Sequence, residues 1–198
     1  MARRSTPRPA GRDAAVRGAA GRLRPLPLSR VYRLLEPGPV VLVTTAHRGH
    51  ANVMAMSWHT MIEFEPPLVA CVVSRANFSR RALVATGECV IAIPDRRLAG
   101  KVVAAGNVSG RDCEKFEVIG LTPVPSTRVG APRIVECWAN LECRVRDTEL
   151  AARYDLFVLE VVAAWVRPGR GSPTTIHHRG RGVFVPDGKA FRLPSAKP

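Results

Sequence analysis

The sequence predicts a mainly β domain, in which strands form a closed or nearly closed barrel carrying a few short helices. Three observations support this fold class. Apolar, β-branched runs recur along the chain and are separated by turns rich in Gly and Pro. One later segment, 139–145, alternates apolar and polar residues with a period of two, as antiparallel sheets do. Helical patterns are short and too few for a doubly wound parallel sheet.

Apolar runs in the first half of the chain predict strands. The first run ends in the polar turn 47–50, and a second run follows at hairpin distance. A third run enters from the turn Pro66-Pro67, since proline starts a strand more readily than it continues one. The strands predicted in this way are 39–46, 51–58, 67–74 and 88–94.

Short helices are predicted between these strands. Residues 77–86 follow a helical period, and Gly87 supplies the left-handed residue that commonly ends a helix. Asp95 is expected to cap another helix, which ends at Gly106. A further short helix is predicted over residues 29–35, ahead of the first strand.

The second half of the chain reads as antiparallel strands. Residues 157–166 form a long apolar run that only Glu160 interrupts. Asp187-Gly188 is the strongest short turn signal in the chain and predicts a hairpin over 183–193. The alternating strand 139–145 carries Ala139, Leu141, Cys143 and Val145 on one face and Asn140, Glu142 and Arg144 on the other.

The positive charge of the chain is concentrated at its ends. The 198 residues include 30 Lys or Arg and 16 Asp or Glu, a net charge of +14 that suggests an anionic partner such as nucleic acid. Residues 1–30 carry +7 and residues 164–198 carry +6, which leaves +1 for residues 31–163. We therefore expect a disordered basic leader over 1–28 and a folded domain over 29–198. The near-neutral body argues against nucleic acid as a partner.

Composition also indicates the compartment. No apolar run reaches the roughly 18 residues of a membrane-spanning helix, and no apolar segment follows the N-terminal arginines as in a secretory signal. The five cysteines are odd in number and contain no C-x-x-C pair, so neither a disulfide framework nor a zinc ribbon is expected. Cys71, Cys89 and Cys143 lie in apolar stretches, where free cysteine behaves as a small hydrophobe. We expect a reducing, cytoplasmic location.

Sequence signatures of common catalytic sites are absent from the chain. It has no G-x-G-x-x-G after a strand, no phosphate-binding G-x-x-x-x-G-K-[ST], no G-x-S-x-G and no H-E-x-x-H. His47 and His50 could supply two metal ligands, but no third ligand follows at a standard spacing. No metal site is expected.

Residues 74–81 have the chemistry of an anion site. They lie between a predicted buried strand and a predicted helix, where free N–H groups, hydroxyls and guanidinium groups converge. An ordinary helix cap followed by a solvated basic turn is the alternative interpretation. The strand 52–58 carries small side chains that let a flat ligand approach its backbone, although a tightly packed barrel strand explains them equally well. A further polar cluster, 107–112, is either part of a site or a surface loop.

Short motifs follow one another in a fixed order over residues 36–192. They are Asn52-x-Met54-Ala55-Met56-Ser57-Trp58, Pro66-Pro67, Ser74-Arg75, Ser79-Arg80, Thr86-Gly87-Glu88, Ser109-Gly110-Arg111-x-x-x-Lys115-Phe116 and His177-His178-x-Gly180-x-Gly182-x-Phe184. No single motif is specific, but their succession resembles the flavin reductase-like, FMN-binding split-barrel family, and its flavoredoxin-like branch in particular.

The resemblance implies a split β-barrel that binds FMN non-covalently, usually at a homodimer interface. Arg81 departs from the family pattern by making the phosphate turn unusually basic, which raises FAD as an alternative to FMN. Carried over by position, the residues beside the isoalloxazine ring are Asn52, Met54, Ala55, Met56 and Ser57. Those that hold the phosphate are Ser74, Arg75, Ser79 and Arg80, and those that close the site are Ser109, Gly110 and Lys115.

The resemblance also implies an activity, that of an NAD(P)H:flavin reductase. Hydride would pass from a nicotinamide to the bound flavin, and electrons would pass on to an acceptor, such as a partner oxidoreductase or monooxygenase. No catalytic side chain is expected, because the flavin carries the chemistry and the protein orients it. The alternatives are a non-enzymatic, flavin-binding electron carrier and a basic nucleic-acid-binding protein.

Overall fold

A computed structural model describes residues 23–169 and 173–194. Its strands are β1 (Arg24–Pro25), β2 (Val41–His47), β3 (His50–Met56), β4 (His59–Phe64), β5 (Pro67–Val72), β6 (Glu88–Ile93), β7 (Pro123–Val124), β8 (Arg133–Ile134), β9 (Ala139–Asp147), β10 (Leu156–Val166), β11 (Ile176–His178) and β12 (Phe184–Pro186). Its helices are α1 (Tyr32–Leu35), α2 (Phe78–Thr86), α3 (Ala99–Asn107), α4 (Lys115–Ile119) and α5 (Ala151–Tyr154), with 3-10 turns at Leu28–Arg30 and Arg96–Leu98.

The main sheet is antiparallel and curls because its two edge strands are neighbours in the chain. The strand order is β3-β2-β6-β9-β10-β5-β4, with β1 added to β10, so β3 and β4 lie at opposite edges. Only Ser57 and Trp58 separate them, and three residue steps span at most about 11 Å. The edges must therefore meet at this corner. The prediction of a mainly β barrel with short helices is confirmed.

His59 fastens this corner to the start of β2. Its Nε2 lies 2.7 Å from the carbonyl oxygen of Pro39, which can only accept, so Nε2 carries the proton and donates. Burial lowers the pKa of His59, and the bond to Pro39 only partly offsets this effect. The imidazole is therefore held neutral where the two edges converge.

The inner face of the barrel holds the main hydrophobic core. Phe157 and Leu159 of β10 pack there with Leu141 of β9 and Ile91 of β6. All five cysteines are unpaired, and three of them belong to this core, which confirms that they act as small hydrophobes. Burial raises the pKa of the Cys71 thiol, which keeps it protonated and unreactive. These three core cysteines are Cys71, Cys89 and Cys143.

A second core lies outside the barrel, under α3 and α4. Leu42 of β2 and Val53 of β3 point outward and pack against Val102 of α3 and Phe116 of α4. The two helices therefore cover the outer face of the sheet beside its β3 edge. None of the helices in the described part of the chain is long and apolar enough to cross a membrane.

The polar face of β9 is buried as well, around the carboxylate of Glu142. This carboxylate accepts hydrogen bonds from the backbone N–H groups of Thr127, at 3.0 Å, and Arg128, at 2.6 Å, and from Trp165 Nε1 at 2.8 Å. Arg133 Nε lies 3.7 Å from the carboxylate, and the Arg133 guanidinium lies 4.5 Å from the centre of the Trp165 ring. The network fixes the excursion 120–137 to the outside of the sheet.

Asn140, the next polar residue on the same face, repeats this arrangement. Its side chain accepts from the N–H of Ile134 at 2.8 Å and donates to the carbonyl of Ile134 at 3.1 Å. The amide thus pairs with β8 as a strand would. The alternation in 139–145 correctly predicts which residues share a face of the strand. The polar face is nevertheless buried at Asn140 and Glu142, because the excursion 120–137 covers it.

Most predicted elements are confirmed to within two residues, and four expectations need correction. The predicted strand 51–58 ends at Met56, and the pattern does not predict β4. The helix expected after Asp95 begins as the 3-10 turn Arg96–Leu98, with Asp95 Oδ1 accepting from Arg97 N at 2.9 Å, and α3 follows at Ala99.

The boundary of the basic leader is the third correction. Leu23 is buried, β1 pairs with β10, and Leu26 N donates to Ala164 O at 2.8 Å. The end of the predicted leader 1–28 is therefore wrong, because the packed body includes residues 23–28. Residues 1–22 of that leader lie outside the described residues.

The hairpin predicted over 183–193 is the fourth correction. β12 pairs instead with β11, through a turn in which Gly180 and Gly182 have φ of +89° and +74°. The Asp187 carboxylate accepts from Thr175 N at 2.8 Å and from His177 Nε2 at 2.6 Å. Because an earlier strand binds this side chain, Asp187 ends the β11–β12 hairpin rather than starting a new one.

Replacement of Glu142 by alanine is expected to lower the free energy of unfolding by about 3–5 kcal/mol, as is usual when one partner of a buried ion pair is removed. The change leaves Arg133 as a buried cation without its carboxylate and removes the acceptor of two backbone N–H groups. Urea unfolding followed by circular dichroism measures the loss. The exposed Glu149→Ala is the control, expected within about 0.5 kcal/mol of the wild type. Equal losses in both variants would contradict the role assigned to Glu142.

Candidate ligand-binding site

Two pockets lie near strand β3, one beside the helix α2 that Asn52 bonds and one at the end of the strand. The basic pocket, of about 410 Å³, is formed by the turn before α2, by α2 itself and by the loop after α3. The strand pocket, of about 320 Å³, lies between the end of β3, α3 and the β11–β12 hairpin. The basic pocket is lined by Arg75, Asn77, Phe78, Arg80, Arg81 and Arg111. The strand pocket includes Ala55, Met56, Ser57, Val102, Asn107 and Phe184.

The turn before α2 is shaped by Ser74. Its hydroxyl accepts from Ala76 N at 3.2 Å, and its carbonyl accepts from Asn77 N at 2.9 Å, as in a serine turn. Asn77 occupies the N-cap position of α2, but its side chain makes no capping bond and lines the basic pocket instead. The first N–H groups of α2 therefore face a region rich in guanidinium groups, a favourable arrangement for an anion.

Two of these guanidinium groups converge on the Asp155 carboxylate. Arg75 donates to Asp155 from its backbone N at 3.0 Å and from Nε at 3.2 Å, and Arg80 Nη2 lies 3.2 Å from Asp155 Oδ1. Both arginines also donate to carbonyl groups of α5, Arg75 to Ala152 and Arg80 to Ala151. Asp155 and α5 thus fix the direction of both side chains.

Arg80 keeps one donor free. Its guanidinium lies 5.6 Å from the centre of the Phe157 ring, and its side chain is 22% exposed. Its Nε is buried and has no hydrogen-bond partner among the described residues. Buried donors are nearly always paired in folded proteins, so this N–H marks a position for an acceptor from a ligand or water.

Asp155 is ionised despite its surroundings. Desolvation opposes its charge, but the hydrogen bonds from Arg75 and the charge of Arg80 outweigh this and lower the pKa of the carboxyl. Asp155 has a φ of +54°, a left-handed conformation that Asp and Asn adopt more readily than most residues. Its carbonyl accepts from Val73 N at 2.9 Å, which ties this position to the end of β5.

A buried hydrogen bond joins α2 to β3. Asn52 Nδ2 donates to Ser79 Oγ at 2.8 Å, and both residues are buried. Gly110 packs against this junction so closely that a Cβ would collide with Asn52 Oδ1 and lie 2.7 Å from Phe78 Cδ1. Only glycine leaves this space open. The loop after α3, the helix α2 and the strand β3 therefore meet at one point.

The strand β3 presents its backbone to the site. As an edge strand it has one row of N–H and C=O groups that no described strand pairs. Ala55 faces α3, whereas Met54 and Met56 pack on the barrel core. Among the predicted ring-side residues, Ala55, Met56 and Ser57 line the strand pocket, and Met54 is turned toward the core.

Lys115 lies under the site rather than inside either pocket. It is buried, and its Nζ donates to the carbonyl of Ala105 in the last turn of α3, at 2.6 Å. Burial lowers the pKa of Lys115. Ser109 Oγ accepts from Arg111 N at 3.2 Å and so shapes the loop that carries Arg111. Lys115 and Ser109 thus hold α3 and its following loop in place, and their predicted contact with a ligand stays a prediction.

Two residues at the site, Arg111 and Asp155, were not predicted from the sequence. Arg81 belongs to the predicted anion segment 74–81, and Arg111 lies within the motif Ser109-Gly110-Arg111, where its positive charge was the available signal. Asp155 gives no signal, because it lies far along the chain from the arginines it binds and only the fold brings them together. The strand pocket likewise depends on the β11–β12 hairpin, whose position the sequence does not predict.

Comparisons with known proteins agree on one family. A model of the family described as "Flavin reductase like domain" matches residues 32–184. The uncharacterized protein YddH of Escherichia coli (strain K12) is 36% identical over 182 residues, covering 85% of this chain and 96% of that protein.

Solved structures share the fold. An FMN-binding domain of a flavin reductases-like enzyme from Shewanella baltica OS155 superposes with a TM-score of 0.81 at 26% identity, covering 87% of this chain and 97% of that one. Flavoredoxin of Desulfovibrio vulgaris (Miyazaki F) has a TM-score of 0.73 at 24% identity, covering 81% of this chain and 92% of that one. The split-barrel fold predicted from the sequence is confirmed.

The Asn52–Ser79 bond is expected to contribute about 0.5–1.5 kcal/mol of coupling energy, the usual net value of a hydrogen bond. Asn52→Ala and Ser79→Ala, separately and together, allow a double-mutant cycle by urea unfolding. Asn52→Ala alone should lower the free energy of unfolding by about 1–3 kcal/mol, because it leaves the buried Ser79 hydroxyl without its donor. Strictly additive losses would show that the two side chains are not coupled.

Proposed function

The chain belongs to the flavin reductase-like domain family, and from this membership we propose that it is an FMN-dependent oxidoreductase of the NAD(P)H:flavin reductase type. The proposal rests mainly on one observation. A pocket suited to an anion lies beside the helix α2, which Asn52 of β3 bonds, and a pocket suited to a planar group lies at the other end of the same strand. FMN has these two parts, a phosphate and an isoalloxazine ring, joined by a ribityl chain.

The spacing along β3 supports a single elongated ligand. Asn52 lies at the junction with α2 beside the basic pocket, and Ser57 lines the strand pocket. Five residue steps of extended strand span about 17 Å. A ligand can therefore lie along the free edge of β3 with its anionic end at α2 and its planar end at Ser57.

The basic pocket fits a phosphate group. Arg80 Nε is a buried donor without a partner among the described residues, and Arg75 stands beside it with its direction fixed by Asp155. Asn77 and the first N–H groups of α2 supply further donors. In this proposal Arg75 and Arg80 bind the phosphate, and Asp155 positions both. Charge-assisted bonds of this kind are the strongest that a protein can offer a phosphate.

The strand pocket fits the ring. The unpaired backbone groups of β3 and the hydroxyl of Ser57 can bond the polar edge of the isoalloxazine, while Val102 and Phe184 form apolar walls that exclude water. When bound, FMN would supply the chemistry of hydride transfer and electron transfer, with NADH or NADPH as the hydride donor. The chain itself binds, orients and desolvates, so that no side-chain acid or base is required.

We also propose that the protein is a cytoplasmic homodimer. β4 is an edge strand, and near it Trp58, Ile62 and Phe64 are 72%, 51% and 59% exposed. Exposed apolar groups beside a free strand edge favour association with a second copy of the chain. The five unpaired thiols suit a reducing compartment.

Purified protein is expected to carry, or to take up, one flavin per chain and to show the visible absorption bands of oxidised flavin. With added FMN it should oxidise NADH or NADPH faster than a blank containing flavin alone, measured by loss of nicotinamide absorbance. A protein that binds flavin but gives no turnover above the blank would be an electron carrier and not a reductase. A protein that takes up neither FMN nor FAD would contradict the proposed function itself.

Arg80→Ala is expected to weaken FMN binding by about 1.5–3 kcal/mol, because it removes a charge-assisted bond to the phosphate. Riboflavin has the same ring without the phosphate, so its dissociation constant should stay within about twofold of the wild type. Titration of the flavin fluorescence measures both ligands. Arg146→Ala, which removes an exposed arginine on β9, is the control and should leave FMN affinity unchanged. Equal weakening of FMN and riboflavin by Arg80→Ala would remove Arg80 from the phosphate site.

A further inference from the structure

The basic pocket contains two arginines beyond the pair that contacts Asp155. We call Arg75, Arg80 and Asp155 its inner subsite. Arg75 and Arg80 surround the Asp155 carboxylate, so two cations around one anion leave a single net positive charge. Both side chains also donate to carbonyls of α5. The single net charge of this inner subsite leaves part of the charge of a phosphate monoester, about −1.5 to −2 at neutral pH, uncompensated.

Two further arginines line the same pocket without a carboxylate of their own. Arg81 and Arg111 are exposed, and neither forms an ion pair within residues 23–169 and 173–194. The carboxylate of Asp155 forms its ion pairs with Arg75 and Arg80. The charges of Arg81 and Arg111 are therefore available to a ligand.

Arg81 and Arg111 line the same pocket but take no part in the ion pairs with Asp155. Arg80 and Arg81 are successive residues of α2, about 100° apart around the helix axis, so Arg81 cannot follow Arg80 toward Asp155. Arg111 comes from a different element, the loop after α3, which Gly110 anchors against Phe78 and Asn52. Neither side chain therefore shares the bonds to Asp155 and α5 that Arg75 and Arg80 make.

The size of the basic pocket is also more than one phosphate group needs. Its volume of about 410 Å³ falls in the range of roughly 300–1,000 Å³ that whole small-molecule ligands occupy. The space and the second pair of cations both indicate a ligand that extends beyond its first phosphate.

We propose that Arg81 and Arg111 form an outer anion subsite that binds a second phosphate group of an adenine dinucleotide, next to the inner subsite of Arg75 and Arg80. This inference rests on the proposed flavin function and extends it to the class of ligand. The second phosphate is either the adenylate phosphate of FAD, bound in place of FMN, or the ribose 2′-phosphate of the co-substrate NADPH, which NADH lacks. In both cases the recognising chemistry is the same, a pair of guanidinium groups around a phosphate.

The test compares the double variant Arg81→Ala/Arg111→Ala with a control of equal charge, Arg96→Ala/Arg146→Ala. The control pair is exposed and lies outside the basic pocket. Affinities for FMN and FAD are measured by fluorescence titration at two salt concentrations, and KM values for NADH and NADPH are measured with FMN-loaded protein. The wild type is measured in parallel.

The expected result is that the double variant loses about tenfold more affinity for FAD than for FMN, or that its KM rises about tenfold more for NADPH than for NADH. The first outcome assigns the outer phosphate to FAD, and the second assigns it to the co-substrate. In the wild type, added salt should reduce the preference for FAD over FMN or for NADPH over NADH. In the double variant, salt should leave these ratios unchanged. The control variant should show neither selective loss.

Equal losses of affinity for FMN and FAD, with an unchanged ratio of the KM for NADPH to the KM for NADH, would overturn the outer subsite. All four arginines would then bind one phosphate. The same result with normal flavin binding and turnover would leave the proposed function intact. A wild-type protein that binds no flavin and oxidises neither nicotinamide would overturn the proposed function and this inference together.

Discussion

The short connection between β3 and β4 constrains the rest of the structure, because only Ser57 and Trp58 separate the two edges of the main sheet. The sheet must curl until its edges meet, which encloses the main core on the inner face. The outer face beside β3 then remains available to α3 and α4. One edge of β3 is left without a strand partner. The strand pocket lies at the end of this strand, and the basic pocket lies beside the helix α2 that Asn52 of β3 bonds. Barrel closure and the candidate site are therefore consequences of the same constraint.

Electrostatics in the site depends on a single acidic residue. Asp155 arranges Arg75 and Arg80 before any ligand arrives, so the cost of ordering two long side chains is met during folding rather than during binding. The same carboxylate lowers the net charge of the inner subsite, which limits how tightly that subsite alone can hold a phosphate. Arg81 and Arg111 lie outside this arrangement and retain their charge. The pocket is thus divided into an inner part with directed donors and an outer part with free cations.

Away from the site, buried polar groups likewise fix the position of the segments that they bind. Glu142 and Asn140 lie on the outer face of β9, and each binds backbone groups of the excursion 120–137. Because buried polar groups must be paired, these contacts specify one position for a segment that has little regular structure of its own. Asn52 and Ser79 apply the same principle inside the site, where they connect α2 to β3.

The sequence by itself determined the class of fold, most strands, the helix α2 and the concentration of basic side chains in 74–81. These are local properties, since hydrophobic period, turn residues and helix signals depend on neighbours in the chain. Only the tertiary structure decided that Asp155 binds the arginines of this turn, that Met54 faces the core, and that Asp187 ends a hairpin. Each of these depends on a contact between residues distant in sequence or on the face that packing buries. Such contacts arise from chain closure and burial, which no local pattern records.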